Sequence, residues 1–336
     1  MSFHVDGFKL LGDRLPVTAI VQDALLSRTK ILYDGFDMSV VPQNRTYENL
    51  YIDKEEYQFA ARMMLNHINC NMYELLNQQK KQGENVGFIN YISSNNGFTL
   101  SDLFMYNDRH NEANGEKNAD GPSWNFSNNY GCEGPSRKRF IREIRKLKWK
   151  DAMLLLFLAQ GVPMIMAGDE ICNSQDGNNN AYCQDNIISW LDWTRKEKHK
   201  DVFEFFKYMI AFRKRFHIIT DSRGKATCSY PPVSIHSNVA WSAKYYDDTR
   251  MIGVMYAGAS LKQQGLDEFV YFGVNAYWDY VNVELPDLPE GYHWKLYVNT
   301  GNEPQDVILE DRNVILYDKR INMAGRSVIV AVGERY

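Results

Sequence analysis

The hydrophobic periodicity of this chain changes once, near Thr220, and that change bounds what the chain can fold into. Upstream, short apolar runs alternate with stretches of helical spacing. Parallel strands demand this pattern, because each needs a crossover, usually a helix, to reach its neighbour. FHVDGFKL (Phe3 to Leu10), TKILYD (Thr29 to Asp34), VGFINYI (Val86 to Ile92) and VPMIMAG (Val162 to Gly168) read as strands, with helices over Leu15 to Ser27, Lys54 to Lys80, Arg137 to Gln160 and Val202 to Phe216. Downstream, VAWSAKYY, RMIGVMYAG, EFVYFGVNAY, HWKLYVN, NVILYD and RSVIVAVG alternate apolar and polar residues between turn signals, as the strands of an antiparallel β-sandwich do. The expected organisation is a parallel α/β unit over residues 1–219 followed by an antiparallel β-domain over residues 220–336.

With 336 residues, 44% of them hydrophobic, the chain can bury a substantial core. Its 38 basic and 42 acidic residues leave a formal charge of −4, which supplies no field to attract nucleic acid or an anionic membrane. The one basic run, SRKRFIREIRKLKWK (Ser136 to Lys150), carries Ile141, Ile144, Leu147 and Trp149 at helical spacing and reads as the solvated face of an amphipathic helix. The longest apolar stretch, Ala152 to Gly168, is interrupted by Gln160, Gly161 and Pro163, marking a helix that runs into a strand, not a membrane span. Five scattered cysteines without close pairs fit a reduced, cytoplasmic protein. No signal peptide is expected after Met1, and the chain is expected to begin inside a domain, so that Met1 is not taken as its natural N-terminus.

Two loops concentrate polar groups. HNEANGEKNADG (His110 to Gly121) offers His110, Asn111, Glu112, Asn114 and Glu116; the segment after Gly168 offers Asp169, Glu170, Asn178, Asn179, Asn180, Tyr182, Gln184 and Asp185. Amides and carboxylates in such numbers suit the donor and acceptor pattern of sugar hydroxyls. Trp124, Tyr130, Tyr182, Trp190 and Trp193 are candidates for stacking on pyranose faces. The same residues equally suit tight turns and a packed core. No phosphate-binding glycine loop, paired metal-ligand histidines or G-x-S-x-G turn is present. His4, His67, His199 and His217 are dispersed and read as surface or core residues. Asp169, Asp176 and Asp185 lack the ligand spacing of a known calcium loop, so neither metal nor cofactor is expected.

These two loops, His110 to Gly121 and Gly161 to Trp193, resemble the glycogen-debranching and isoamylase branch of the α-amylase superfamily, glycoside hydrolase family 13. VDGFKLL (Val5 to Leu11), ILYDGFD (Ile31 to Asp37) and INYISSNNGFTL (Ile89 to Leu100) continue the resemblance in register. It implies a partial TIM-type (β/α) barrel, about strands four to eight, with the sixth poorly marked, followed by the family's C-terminal β-domain. It also implies that the three catalytic carboxylates fall at Leu11, Asp34 and Asn96, where the family has Asp, Glu and Asp. Lys9 stands for an Arg, Asp37 keeps a trailing Asp, and Asn95 replaces a His.

Retaining glycoside hydrolysis needs a carboxylate nucleophile and a carboxylic acid roughly 5 Å apart. Leu11 cannot attack an anomeric carbon, Asp34 is one methylene shorter than Glu, and the Asn96 amide cannot stabilise a developing cation as a carboxylate does. Groups that act as a unit lose most of their effect when one is removed. The expectation is a catalytically inactive relative, or fragment, of a debranching enzyme, with branched α-glucan as its implied ligand. Two alternatives are an α-1,6-glucosidase using a shifted site built from Asp34 or Asp37 with Asp13, and a regulatory half-barrel. An open half-barrel exposes strand edges, so a partner chain or a second copy is expected to cover it.

Overall fold

The computed structural model describes residues 2–5, 19–34, 49–68, 71–81, 83, 86–242, 249–262 and 265–336. Its first layer is a parallel sheet in sequential order: β1 (Ser2–Val5), β2 (Lys30–Asp34), β3 (Leu50–Asp53), β4 (Gly87–Asn90) and β5 (Val162–Pro163). β3 is the strand that the sequence marks poorly. It is four residues long with alternating burial, Leu50 and Ile52 facing inward, and it pairs Ile31 with Leu50 and Tyr33 with Ile52. Gly87 sits opposite Tyr51, and a Cβ there would lie 2.4 Å from the Tyr51 ring, so only glycine fits this crossing.

Several boundaries differ from expectation. Of the helix expected over Leu15 to Ser27, the described residues are α-helical only over 19–22 and form a 3-10 turn at Leu26–Arg28, and the strand expected in NVILYD is only Val314–Ile315. The segment Val162–Gly168 is strand only over its first two residues: β4 ends at Asn90, and Pro163 has no N–H to extend a ladder. The helix expected over Lys54–Lys80 is two helices, α1 (Glu55–Leu65) and α2 (Met72–Gln79). His67 is left-handed with φ 58°, which ends α1, and Asn71 caps α2 by accepting the Glu74 amide at 3.1 Å. Residues 239–242 of the expected strand VAWSAKYY form a turn, its remainder lies outside the described residues, and the strand instead is VSIH.

α3 (Arg139–Leu158) and α4 (Lys200–Arg215) pack on each other and on the β-domain. Here the basic run departs from a solvated face, because Arg145, Lys148 and Lys150 are buried. The Arg145 guanidinium donates to the carbonyls of Gly134, Asn129 and Cys132. Lys148 pairs with Asp151 at 3.1 Å and Lys150 donates to the Pro304 carbonyl at 2.6 Å, so long cationic side chains fasten the helix to the β-domain by their charged ends.

The β-domain is a six-stranded antiparallel sheet in the order β11 (Val314–Ile315), β10 (Tyr292–Asn299), β13 (Ser327–Arg335), β8 (Glu268–Asn275), β7 (Met251–Gly258), β6 (Val233–His236). A separate ribbon joins β9 (Val281–Glu284) and β12 (Arg320–Met323). The period-two alternation of β7 separates two cores. Ile252, Val254 and Tyr256 join the helices in the main cluster, whereas Met251, Met255 and Ala257 pack beneath the ribbon with Val283 and Met323. Both faces of the sheet are therefore covered, one by helices and one by a two-stranded ribbon. The main core runs without a break across residue 220, and Tyr256 Oη donates to the Leu158 carbonyl at 2.7 Å.

Candidate functional site

The register across the parallel sheet sets Asp34 opposite Asp53, Asp53 opposite Ile89 and Ile89 opposite Val162, so the loops after these residues leave from one end, the C-terminal end of the strands. Parallel α/β barrels carry their sites at that end. A cavity of about 430 Å³ opens there, between the loop after β4 and the loop after β5. Ser93, Ser94 and Asn95 line it from the first loop, and Met164 to Ala167, Asn173, Gln175 and Ser189 from the second. No carboxylate lines it among the described residues. Asn95 and Asn96 are exposed, and a hydrogen bond between the Asn96 amide and Ser94 Oγ, 3.3 Å long, shapes the turn that presents them.

Asp169 is buried and bonded within the protein. Its carboxylate accepts from Ser93 Oγ and from the Leu100 amide, the latter at 3.0 Å, tying the two cavity loops together. Asp102 does the same one step further on, accepting from Ser174 Oγ at 2.5 Å and from the Gln175 amide at 2.8 Å. Burial pushes both carboxyls up to about 6, against the pull of those donors. Glu170 accepts the Gly168 amide at 2.9 Å.

The asparagines that the sequence offers as sugar contacts are bonded extensively to one another and to Asp120. Asn111 is fully buried; its Nδ2 donates to the Asp120 carbonyl at 2.9 Å and to Asn179 Oδ1 at 2.8 Å, and its Oδ1 accepts the Asn179 amide at 3.0 Å. Asn179 passes the chain on to Asn125 Oδ1 at 3.0 Å. Asn114 donates to Asp120 Oδ2 at 2.7 Å while accepting from Asn178 and Gln184, each at 2.8 Å, and Asn180 reaches the same Asp120 oxygen at 2.9 Å. Gly121 completes the lattice, since a Cβ on its φ of +75° would meet Asn179 Oδ1 at 2.3 Å. His110 lies at the margin, 3.3 Å from Glu133 and edge-on to Tyr106.

Other groups face solvent. Glu112, Glu116 and Tyr182 are exposed, as are Trp124, Trp190 and Trp193, with the Trp190 indole oriented by a 3.0 Å bond to Asp185. Tyr130 is half-buried and bonded to Asn66. Lys9, Leu11, Asp13 and Asp37 lie outside the described residues, and of Asp34 the backbone position alone is described. Ser93, Asn173, Gln175 and Ser189 line the cavity but escaped sequence reasoning; their signal was position in the same two loops. Asp120, a hub of the loop hydrogen bonds, lies within the loop His110 to Gly121 and shared that signal, whereas Asp102 had none.

No protein-family model matches the chain. The chain is 46% identical over 244 residues to the glycogen debranching enzyme of Erwinia tasmaniensis, covering 66% of this chain and 36% of that enzyme. It is 44% identical over 135 residues to the glycogen operon protein GlgX homologue of Mycobacterium tuberculosis, covering 40% of this chain and 19% of that protein. The chain thus spans about a third or less of the length of these curated relatives. Among solved structures it matches the pullulanase from Bacillus acidopullulyticus with a TM-score of 0.64 at 14% identity, over 98% of this chain and 37% of that one. The catalytic module of the glycogen-degrading pneumococcal virulence factor SpuA matches with a TM-score of 0.61 at 12% identity, over 98% and 51%. At such identities the structures speak for the fold, while the sequence relatives carry the family. Those sequence relatives show that the chain belongs to the glycogen-debranching branch of glycoside hydrolase family 13.

Proposed function

We propose that this chain is a glycogen-debranching-enzyme relative that holds branched α-glucan without hydrolysing it. The observation that carries this reading is the cavity at the strand C-termini, rimmed by amides and hydroxyls from the loops after β4 and β5. Amides and hydroxyls match sugar hydroxyls, whereas glycosidic cleavage requires a titratable acid and a nucleophile. Leu11 and Asn96, at positions where the family resemblance implies carboxylates, support the same conclusion. Exposed Tyr182, Trp190 and Trp193 supply faces for pyranose stacking beside the polar loops. The partial barrel, with β1 to β5 as its fourth to eighth strands, and a cytoplasmic location are parts of this proposal. The unbridged thiols of Cys132, Cys172, Cys183 and Cys228 accord with the latter.

Native electrophoresis of the purified chain through gels with and without glycogen tests binding, and retardation by glycogen is expected. Unchanged mobility would refute the glucan reading. Release of reducing ends from glycogen, abolished in Asp34→Ala, would instead establish the shifted-site hydrolase. A second reading, a scaffold for another polypeptide along the sheet edge, is favoured by Val162, which is 40% exposed in edge strand β5. A monodisperse monomer in light scattering argues against self-association there.

A further inference from the structure

A second cavity, of about 200 Å³, opens where the loops after β4 and β5 meet α3 and the start of α4. Its charge is one-sided: Arg142, Arg145, Lys146, Arg195 and Lys198 line it against a single lining carboxylate, Asp176. Two of the five cations are already committed, Arg145 to backbone carbonyls and Lys146 to Asp201 at 3.0 Å. Arg142, Arg195 and Lys198 form no ion pair among the described residues, and the one hydrogen bond from Arg195 to the Cys172 carbonyl, at 2.8 Å, uses its Nε. The Nη groups of Arg195 and the charged ends of the other two are left for something else.

His199 stands at the N-terminal cap of α4 and closes this cavity. Both its ring nitrogens are buried, and neither has a hydrogen-bond partner. Buried polar atoms are almost always satisfied, so two orphans in one ring aimed among cations mark a place where a partner is expected. A neutral imidazole donates from one nitrogen and accepts at the other, and a protonated one donates from both. Burial, reinforced by Arg195, Lys146 and Lys198 and opposed by Asp201, holds the ring down to about 4, so at pH 7 it is neutral. Ser101, Ser136 and Ser174 bring hydroxyls to the same walls, and Phe104, Met105 and Trp149 bring apolar surface.

We infer that this cavity binds the phosphoryl group of a small phosphate monoester, at a site distinct from the glucan cavity. A phosphoryl dianion has three strong acceptor oxygens, which two guanidinium forks and an ammonium can meet with charge-assisted hydrogen bonds. Its field also raises the affinity of His199 for a proton, converting both orphaned nitrogens into donors. The apolar walls of Phe104, Met105 and Trp149 offer packing surface to the body of such an ester. Parallel α/β barrels repeatedly place phosphate sites at the loops following their last two strands, and these are the loops that build this cavity. The inference does not rest on glucan binding, since the two cavities share only the loops, not a lining residue.

Isothermal titration calorimetry of the purified chain at low ionic strength tests it, with inorganic phosphate, glucose 6-phosphate and unmodified glucose as probes. Saturable one-to-one binding of a phosphate compound, and none of glucose, is expected. Arg142→Gln combined with Lys198→Gln should weaken that binding tenfold or more, because each removes a charge-assisted contact. Both residues are exposed, so an unchanged unfolding midpoint will separate lost binding from lost structure. Tighter binding of the ester than of inorganic phosphate would add the apolar walls to the site, and equal binding would confine recognition to the phosphoryl group. On saturation, the His199 ring titration followed by NMR should move to higher pH. Heats that do not saturate, or affinity unchanged in the double variant, would overturn the inference whatever glycogen does.

Discussion

Replacing Asn111 by Ala offers the sharpest test of the view that the polar loops are architecture first. Its fully buried side chain makes three hydrogen bonds, two as donor to the half-buried Asp120 O and to the buried Asn179 Oδ1 and one as acceptor from the Asn179 amide. Truncation strands all three partners. A made hydrogen bond nets about 1 kcal/mol, and a buried group left unpaired costs roughly 1–3 kcal/mol, so the variant should lose about 3–5 kcal/mol. That is a large share of the roughly 5–15 kcal/mol that holds a native protein folded. Urea unfolding followed by far-UV circular dichroism gives the global loss. Hydrogen exchange of residues 110–121 and 178–180 shows whether the loops open first. Asn111→Asp turns the donor into an acceptor facing two oxygens, so at pH 7 it should cost at least as much as Ala and recover on acidification as the carboxyl regains a proton. A loss under about 1 kcal/mol, with unchanged exchange, would mean that water restores the lattice and that the asparagines are not its frame.

Three further outcomes are expected. The Arg213 guanidinium reaches the carbonyls of Phe157, Ala159, Gln160 and Gly161 where α3 ends, so Arg213→Lys, with one ammonium for four acceptors, should lower stability by about 2 kcal/mol in urea titration; a change within 0.5 kcal/mol would count against it. Asp102 and Asp169 carry folded-state pKa values near 6 against an ordinary value of 3.8, so between about pH 4 and 6 the folded chain binds more protons and stability falls as pH rises. The advantage of wild type over Asp102→Asn should therefore shrink by on the order of 3 kcal/mol from pH 4 to 7, and a flat or growing difference would contradict the burial argument. Trp190→Ala combined with Trp193→Ala should abolish most glycogen retardation without moving the unfolding midpoint, because both rings are exposed; retained retardation would remove these rings from the binding surface.

How far the sequence reaches depends on the range of the interaction that decides each feature. The longer strands are legible because β7, β8 and β13 are nearly continuous apolar runs of eight or nine residues, as a sheet covered on both faces requires, and β10 partly alternates. β3 is not, since four residues with one apolar pair look like loop until Ile31 and Tyr33 are set beside them. A break at His67 hides within an otherwise helical pattern, because a left-handed residue other than glycine leaves little local mark. β9 and β12 are short and polar on one face, and only their pairing beneath the six-stranded sheet makes them strands.

The same distinction divides the site. The chain's own residues fix its family, the alternation that builds a parallel sheet and then an antiparallel one, and the Leu and Asn where the resemblance implies catalytic carboxylates, because each is a property of a few neighbouring positions. Tertiary structure alone decides which way the polar groups turn. Asn111 meets Asn179 and Asp169 meets Ser93 across 68 and 76 residues, and such partners draw side chains inward that composition would assign to a sugar. Arg145 and Lys150 likewise leave the expected solvated face for carbonyls of other segments, and His199 comes to rest among cations with both nitrogens unmet. A buried polar atom has to find a partner wherever the fold brings one, and that partner's distance along the chain is invisible until the chain has folded.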